Sequence, residues 1–166
     1  MNVWITANGS RGDIFPFLAV GQALRQRGHA VAFGAPHYFR RDIEAAGLEF
    51  SDIGNAFDVE SVLHDPTLMN RNRGGLGVLR SVLAAAPETI PRVRAILGER
   101  RPDVVLANHL AIGTEWVCRA LGIPFARGTV MPIMWLSTSD PVPLMQRTPG
   151  RINAAAARLV FPALRA

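Results

Sequence analysis

The sequence predicts an α/β domain built on a Rossmann-like, doubly wound parallel sheet. Three observations lead there. Short apolar, β-branched runs alternate with longer stretches of helical periodicity. The runs are continuous rather than alternately polar and apolar, as expected of strands covered on both faces. Most of the helical stretches are closed by a glycine just before the next strand. The chain has 166 residues, 49% of them hydrophobic and 19% charged, enough for one domain with a core of its own.

Asn2–Ala7 is the first strand, stopped by Asn8-Gly9. Ile14, Phe17, Leu18, Gly21 and Leu24 then recur at helical spacing, with Gln22, Arg25 and Gln26 on the opposite side and Gly28 as the stop. Pro16 belongs in the first turn of that helix, where its missing N–H is harmless. Ala30–Ala35 is the second strand. Pro36 opens a helix through Ala46, Gly47 closes it, and Leu48–Ile53 is the third strand. Residues 54–77, rich in Asn, Asp, Pro and Gly, read as a loose excursion. Val78–Arg100 is helical, with Pro87 and Pro91 as interruptions; Val104–Ala107 is the fourth strand. Ile112–Leu121 is a helix ended by Gly122, and Pro124–Thr129 the fifth strand. Residues 130–150 hold four prolines and little periodicity, and Ile152–Arg165 resumes a helical pattern. Right-handed crossovers bring three loops to the carboxyl ends of the strands, where such sheets bind ligands: Asn8–Asp13, the segment from Gly54, and Asn108-His109-Leu110.

Composition excludes several classes. One cysteine, Cys118, rules out a disulfide framework and a cysteine-based zinc site. No apolar run reaches the length of a membrane span, and the first residues lack the basic stretch of a signal peptide; the expected location is cytoplasmic. The net charge is +5, and all the basic residues are arginine. They are scattered, with no interleaved aromatics of the kind a nucleic-acid stacking platform needs. Their main reading is a solvated surface; the minor one is weak contact with an anionic lipid surface at the inner face of a membrane, in which Arg71 and Arg73 would take part.

The first loop, Asn8-Gly9-Ser10-Arg11-Gly12-Asp13, carries the chemistry. Its glycines permit close approach of the backbone to a ligand, and the helix behind it favours an anion. It is neither G-x-G-x-x-G nor a phosphate loop with lysine, and strand two ends without the acidic residue that would hold a ribose. A nucleotide-binding oxidoreductase fragment is therefore a rival reading without its second requirement. Asp13 admits two roles: a carboxylate that caps the helix, or a general base at the mouth of the sheet. His109 likewise is a satisfied polar residue at a strand end, a wall of a pocket, or a partner that orients Asp13. Met131 and Trp135 either line an apolar groove or belong to the core.

Gly9 to His29, reading G-S-R-G-D-I-F-P-F-L-A-V-G-Q-A-L-R-Q-R-G-H, resembles the opening of the family 28 and family 1 glycosyltransferases, above all their sterol glucosyltransferase and antibiotic glycosyltransferase branch. Pro102–His109 and Glu115–Pro124 resemble that family's fourth strand, next helix and fifth-strand approach. The resemblance implies the N-terminal half of a two-domain GT-B enzyme, an inverting hexosyltransferase moving a sugar from a UDP- or TDP-sugar to a hydroxyl of a lipophilic acceptor. It implies Asp13 as the catalytic base, Ser10, Arg11 and Gly12 near the donor phosphates and sugar, and His109, Asn108, Met131 and Trp135 around the acceptor. It implies no metal, in keeping with the lack of a D-x-D motif, and no cofactor beyond the donor itself. The expected division is an acceptor-binding domain over residues 1–150, then, from 151 to 166, a helix leading to a donor-binding half that this sequence lacks. Partners are thus the two small-molecule substrates and a donor-binding domain or subunit. A stand-alone, non-catalytic binding domain that partners such a subunit is the other rival.

Overall fold

The computed structural model of the chain describes residues 1–54 and 74–130. Met1–Gly128 form one compact unit that contains every strand described. β1 (Asn2–Thr6) leads into α1 (Arg11–Gln26), β2 (Ala30–Ala35), a short 3-10 turn (His37–Phe39), α2 (Arg40–Ala45) and β3 (Glu49–Asp52). Then come α3 (Gly74–Arg100), β4 (Val104–Asn108), α4 (Thr114–Leu121) and β5 (Phe125–Gly128). The five strands are parallel and ordered β3-β2-β1-β4-β5. This is the predicted α/β sheet. The order reverses at β1: the chain steps outward through β2 and β3, then crosses back by α3 to lay β4 on the other side of β1. The crevice between the carboxyl ends of β1 and β4 is the position at which such sheets hold ligands.

The strands form because both of their faces are covered. In register, Trp4 lies beside Ala32 and Val105, and Ile5 beside Phe33 and Leu106. Successive residues point to opposite faces. On the Trp4 face, Ile53, Val93, Leu97, Val117 and Ile123 complete a core that joins α3 and α4 to the sheet. Gly34 leaves room there for the Trp4 indole, which would otherwise meet its Cβ. On the Ile5 face, α1 lies close enough for Gly21 to abut Ile5 and Leu48, and for Phe17 to abut Gly128. Cys118 is buried in the first core, where desolvation, and to a smaller extent Glu115, pushes its thiol up to about 11. That thiol is core, not nucleophile.

Several boundaries differ from the sequence reading. α1 begins at Arg11, so Pro16 lies in the second turn rather than the first. Its missing N–H leaves the carbonyl of Gly12 without a helical partner, and Gly12 is exposed, so water can take that place. Pro87 and Pro91 do not interrupt α3, which runs unbroken for 27 residues and begins four residues before the predicted Val78. Both prolines face solvent while Val93 and Leu97 are buried, so the two lost hydrogen bonds fall on the wet side and packing holds the dry side. The helix predicted over 36–46 is split into the 3-10 turn and α2. α4 begins at Thr114 because Gly113 before it is left-handed. At the far end of α1 and of α2 the predicted stops hold: the N–H groups of Gly28 and His29 close on Arg25 and Leu24, those of Gly47 and Leu48 on Glu44 and Ile43.

Arg71, Arg73, Met131, Trp135, the boundary expected at residue 150 and the helix expected over 152–165 lie outside the described residues. Among the described residues, no helix is long and apolar enough to cross a membrane.

Candidate functional site

The site is built where β1 and β4 end. Asn8 follows β1, and Asn108 is the last residue of β4; both are buried. The Asn108 Oδ1 accepts the N–H of Asn8 at 3.2 Å and that of Ala111 at 3.0 Å. Its Nδ2 donates to the Asn8 carbonyl at 2.7 Å. One amide thus clamps the first loop to the fourth across 100 positions of sequence, satisfying backbone groups that burial would otherwise strand. The Asn8 side chain in turn accepts the N–H of Gly9 at 2.9 Å.

Gly9 carries φ of +114°. A Cβ there would fall 2.6 Å from Asp13 Oδ2 and 2.7 Å from Leu110 Cδ1. The absence of a side chain is what allows the first loop to pass between the Asp13 carboxylate and the residue after His109. Ser10 is extended and caps α1. Asp13, third residue of the helix, returns its Oδ2 to the cap: it accepts the Ser10 N–H at 2.9 Å and the Ser10 hydroxyl at 2.8 Å. Of the two roles open from sequence, the capping one is visible in these bonds. Oδ2 serves the helix start, while Oδ1 accepts no hydrogen bond among the described residues. Arg11 and Gly12 are exposed beside it, with the Arg11 guanidinium 5.8 Å from the centre of the Phe15 ring.

His109 lies beneath the surface, 7% exposed, and neither ring nitrogen has a hydrogen-bond partner among the described residues. Burial holds its imidazole below the usual histidine range; the Asp13 charge works against that shift and the Arg127 charge adds to it. Arg127, on β5, is kept in place by Glu115 at 2.7 Å and by the Phe125 ring. A histidine whose folded pKa is depressed takes up its proton more readily when unfolded. Stability is therefore expected to fall as pH drops below about 6.5, the free-histidine value, until the folded state also binds the proton. Thermal unfolding at stepped pH, compared with His109→Gln, checks this, and the variant should lose part of that acid sensitivity.

The structure thus brings Ser10, Arg11, Gly12, Asp13, Asn108 and His109 to one end of the sheet. Sequence reading missed the clamp and the place of Arg127. An asparagine directly after one strand and another at the end of a second was the available signal for the clamp; for Arg127, on an edge strand, there was none. Among the described residues, no group of three His, Cys, Asp or Glu side chains gathers as metal ligands. A cleft of about 390 Å³ lined by Asn2, Trp4, Glu49 and Arg100 sits at the amino ends of the strands, remote from this site.

Residues 3–137 match the family model described as the glycosyltransferase family 28 N-terminal domain. The chain belongs to that family. It is 30% identical over 155 residues to a sterol 3-beta-glucosyltransferase of Arabidopsis thaliana, a match covering 87% of this chain and 24% of the relative. It is 38% identical over 90 residues to the O-mycaminosyltylonolide 6-deoxyallosyltransferase of Streptomyces fradiae, covering 53% of this chain and 21% of that one. The chain spans about a quarter or less of the length of these curated relatives. Among solved structures, the glycosyltransferase SsfS6 of Streptomyces sp. SF2575 superposes with a TM-score of 0.61 at 24% identity, over 78% of this chain and 39% of that one. VinC, solved in complex with DTDP, superposes at 0.64 with 15% identity, over 95% and 38%. These structural likenesses speak for the GT-B family of folds. By the family match, the β1–β4 crevice lies within a glycosyltransferase family 28 N-terminal domain.

The close fit at Gly9 makes a direct check. Gly9→Ala is expected to destabilise the domain by about 2–3 kcal/mol, because a left-handed backbone is forced on a residue with a Cβ that then meets the carboxylate. Thermal unfolding measures it; a loss under about 0.5 kcal/mol would show that the loop relaxes freely.

Proposed function

We propose that this domain supplies the acceptor site and the general base of an inverting, metal-independent glycosyl transfer from a UDP- or TDP-sugar to a hydroxyl of a lipophilic acceptor. The observation that carries the reading is the Asp13 carboxylate, held at the β1–β4 crevice with one oxygen on Ser10 and the other without a partner among the described residues. Single displacement with inversion needs a base on the acceptor side, opposite the leaving diphosphate. An oxygen fixed at a helix start, with its carboxylate partner oxygen held by two donors, is positioned without being buried out of reach. The acceptor O–H proton passes to Asp13, the acceptor oxygen attacks the anomeric carbon, and the bond to the diphosphate breaks with its electron pair.

Support for the substrate classes comes from the family. As their names state, one curated relative is a sterol 3-beta-glucosyltransferase and another a 6-deoxyallosyltransferase acting on O-mycaminosyltylonolide. Ser10, Arg11 and Gly12, at the positive end of α1, are the residues proposed to face the donor sugar and phosphates. The Asn108 amide holds the two loops together, and His109 lies under the acceptor side. A separate domain or subunit is proposed to hold the nucleotide; the nucleotide sugar is substrate, and no further cofactor is called for.

The test supplies the chain with a family donor-binding domain, UDP- or TDP-sugars and a panel of hydroxylated lipophilic acceptors, and looks for the glycoside by mass. In parallel, calorimetry titrates the chain with NAD. A glycoside and no NAD binding are expected; micromolar NAD affinity with no glycoside would overturn the reading in favour of a dinucleotide-binding domain.

A further inference from the structure

The Asp13 carboxylate is held by one oxygen. Oδ2 accepts the Ser10 N–H at 2.9 Å and the Ser10 hydroxyl at 2.8 Å. A carboxylate oxygen offers two lone pairs, and these two donors take both. An ionised carboxylate only accepts, so the hydroxyl is the donor of its bond and its one proton is committed to Asp13. Gly9 closes on the same oxygen: a Cβ there would fall 2.6 Å from Oδ2. The first loop thus surrounds Oδ2, and Oδ1 is the oxygen with accepting capacity to spare. Ser10 is exposed, so the bond from its hydroxyl adds little to the stability of the fold. Its consequence is directional. Held by the N–H alone, the carboxylate is free to turn about its side-chain bonds and exchange its two oxygens. A second, charge-assisted bond to the same oxygen fixes which of them faces the loop.

We infer that Ser10 is a positioning residue for the base: its hydroxyl pins Oδ2 to the first loop and so selects Oδ1 as the oxygen that takes the acceptor's proton. This role belongs to the transfer reaction proposed above and rests on it. The acceptor O–H proton passes to Oδ1, the acceptor oxygen bonds to the anomeric carbon, and the diphosphate leaves with the electron pair of the broken bond. Ser10 keeps its own proton throughout and acts only through Asp13. Its N–H and its O–H are both given to the carboxylate, so it has no further proton to offer the donor phosphates. Removing the hydroxyl should therefore slow the chemical step and leave donor binding alone. A serine that bound the donor would show the reverse, and one that only capped the helix would show neither.

The full chain tests the geometry without any transfer activity. Three-bond NMR couplings from the Asp13 carboxyl carbon to its backbone nitrogen and carbonyl carbon report the side-chain rotamer. They are expected to show one rotamer in the chain and in Ser10→Thr, and averaged rotamers in Ser10→Ala and Ser10→Gly. Glycine is nearly as good as serine at a helix start, so Ser10→Gly removes the hydroxyl with little cost to the fold. Couplings unchanged in both variants overturn the inference. In the enzyme completed with a donor-binding domain, Ser10→Ala and Ser10→Gly should each lower kcat by about tenfold, with the KM of donor and acceptor within about twofold. Ser10→Thr, which keeps the hydroxyl, should restore kcat to within about twofold. If Asp13→Asn abolishes turnover while the Ser10 variants keep kcat, or raise only the donor KM, the reaction stands and the role of Ser10 falls. If Asp13→Asn leaves turnover intact, the proposed reaction itself fails.

Discussion

Asp13→Asn, in the enzyme completed with a donor-binding domain, is expected to lower kcat by about 10³-fold, equivalent to about 4 kcal/mol of transition-state stabilisation. Donor affinity should stay within about twofold, since an asparagine oxygen still holds Ser10 and the nucleotide is proposed to sit on the separate domain. The fold should hardly notice. An asparagine oxygen still accepts the Ser10 N–H, and aspartate and asparagine are close to equal near helix starts, so the stability loss should be about 0.5 kcal/mol or less. This separation makes the experiment informative. Steady-state kinetics, donor titration and thermal unfolding are measured on the same preparation. Turnover retained within a factor of about three would leave Asp13 as a helix cap alone.

Asn108→Ala is expected to have the largest effect on stability. The substitution removes the two hydrogen bonds that join Asn8 to Asn108, and leaves the N–H and carbonyl of Asn8 buried without partners. Ala111 keeps its bond to the Asn108 carbonyl. At about 1–3 kcal/mol per stranded buried group, with some relaxation, the loss should be about 3 kcal/mol. For a domain of this size that is a fall in Tm of roughly 10 °C. Amide hydrogen exchange at Asn8 and Ala111 should quicken together, because one side chain protects both loops. A fall in Tm of under about 2 °C would show that the clamp is not what joins β1 and β4 at their carboxyl ends.

Local features of the sequence were enough to locate the strands and most of the helices. Strand and helix periodicities differ, and glycines at 28 and 47 end helices for reasons that lie within a few residues. The position of Asp13 was legible in the same way, since a cap and its helix are neighbours in the chain. Elements whose bounds depend on packing were read less well. The length of α3 is one case: two prolines looked like interruptions, yet Val93 and Leu97 hold the helix to the sheet on the other side. The start of α4 at Thr114 is another, set by the backbone of Gly113 rather than by side-chain pattern.

By itself, then, the amino-acid order determined an α/β sheet with a carboxylate at the end of its first strand, because each of those features is written within one turn or one strand. Only the tertiary structure decided that Asn108 is a clamp and that His109 is buried at the same end of the sheet as Asp13. The clamp joins residues 100 positions apart, through a parallel crossover that reverses direction at β1. No local periodicity encodes such a meeting; it exists only once the hydrophobic faces of five strands have chosen their order and register.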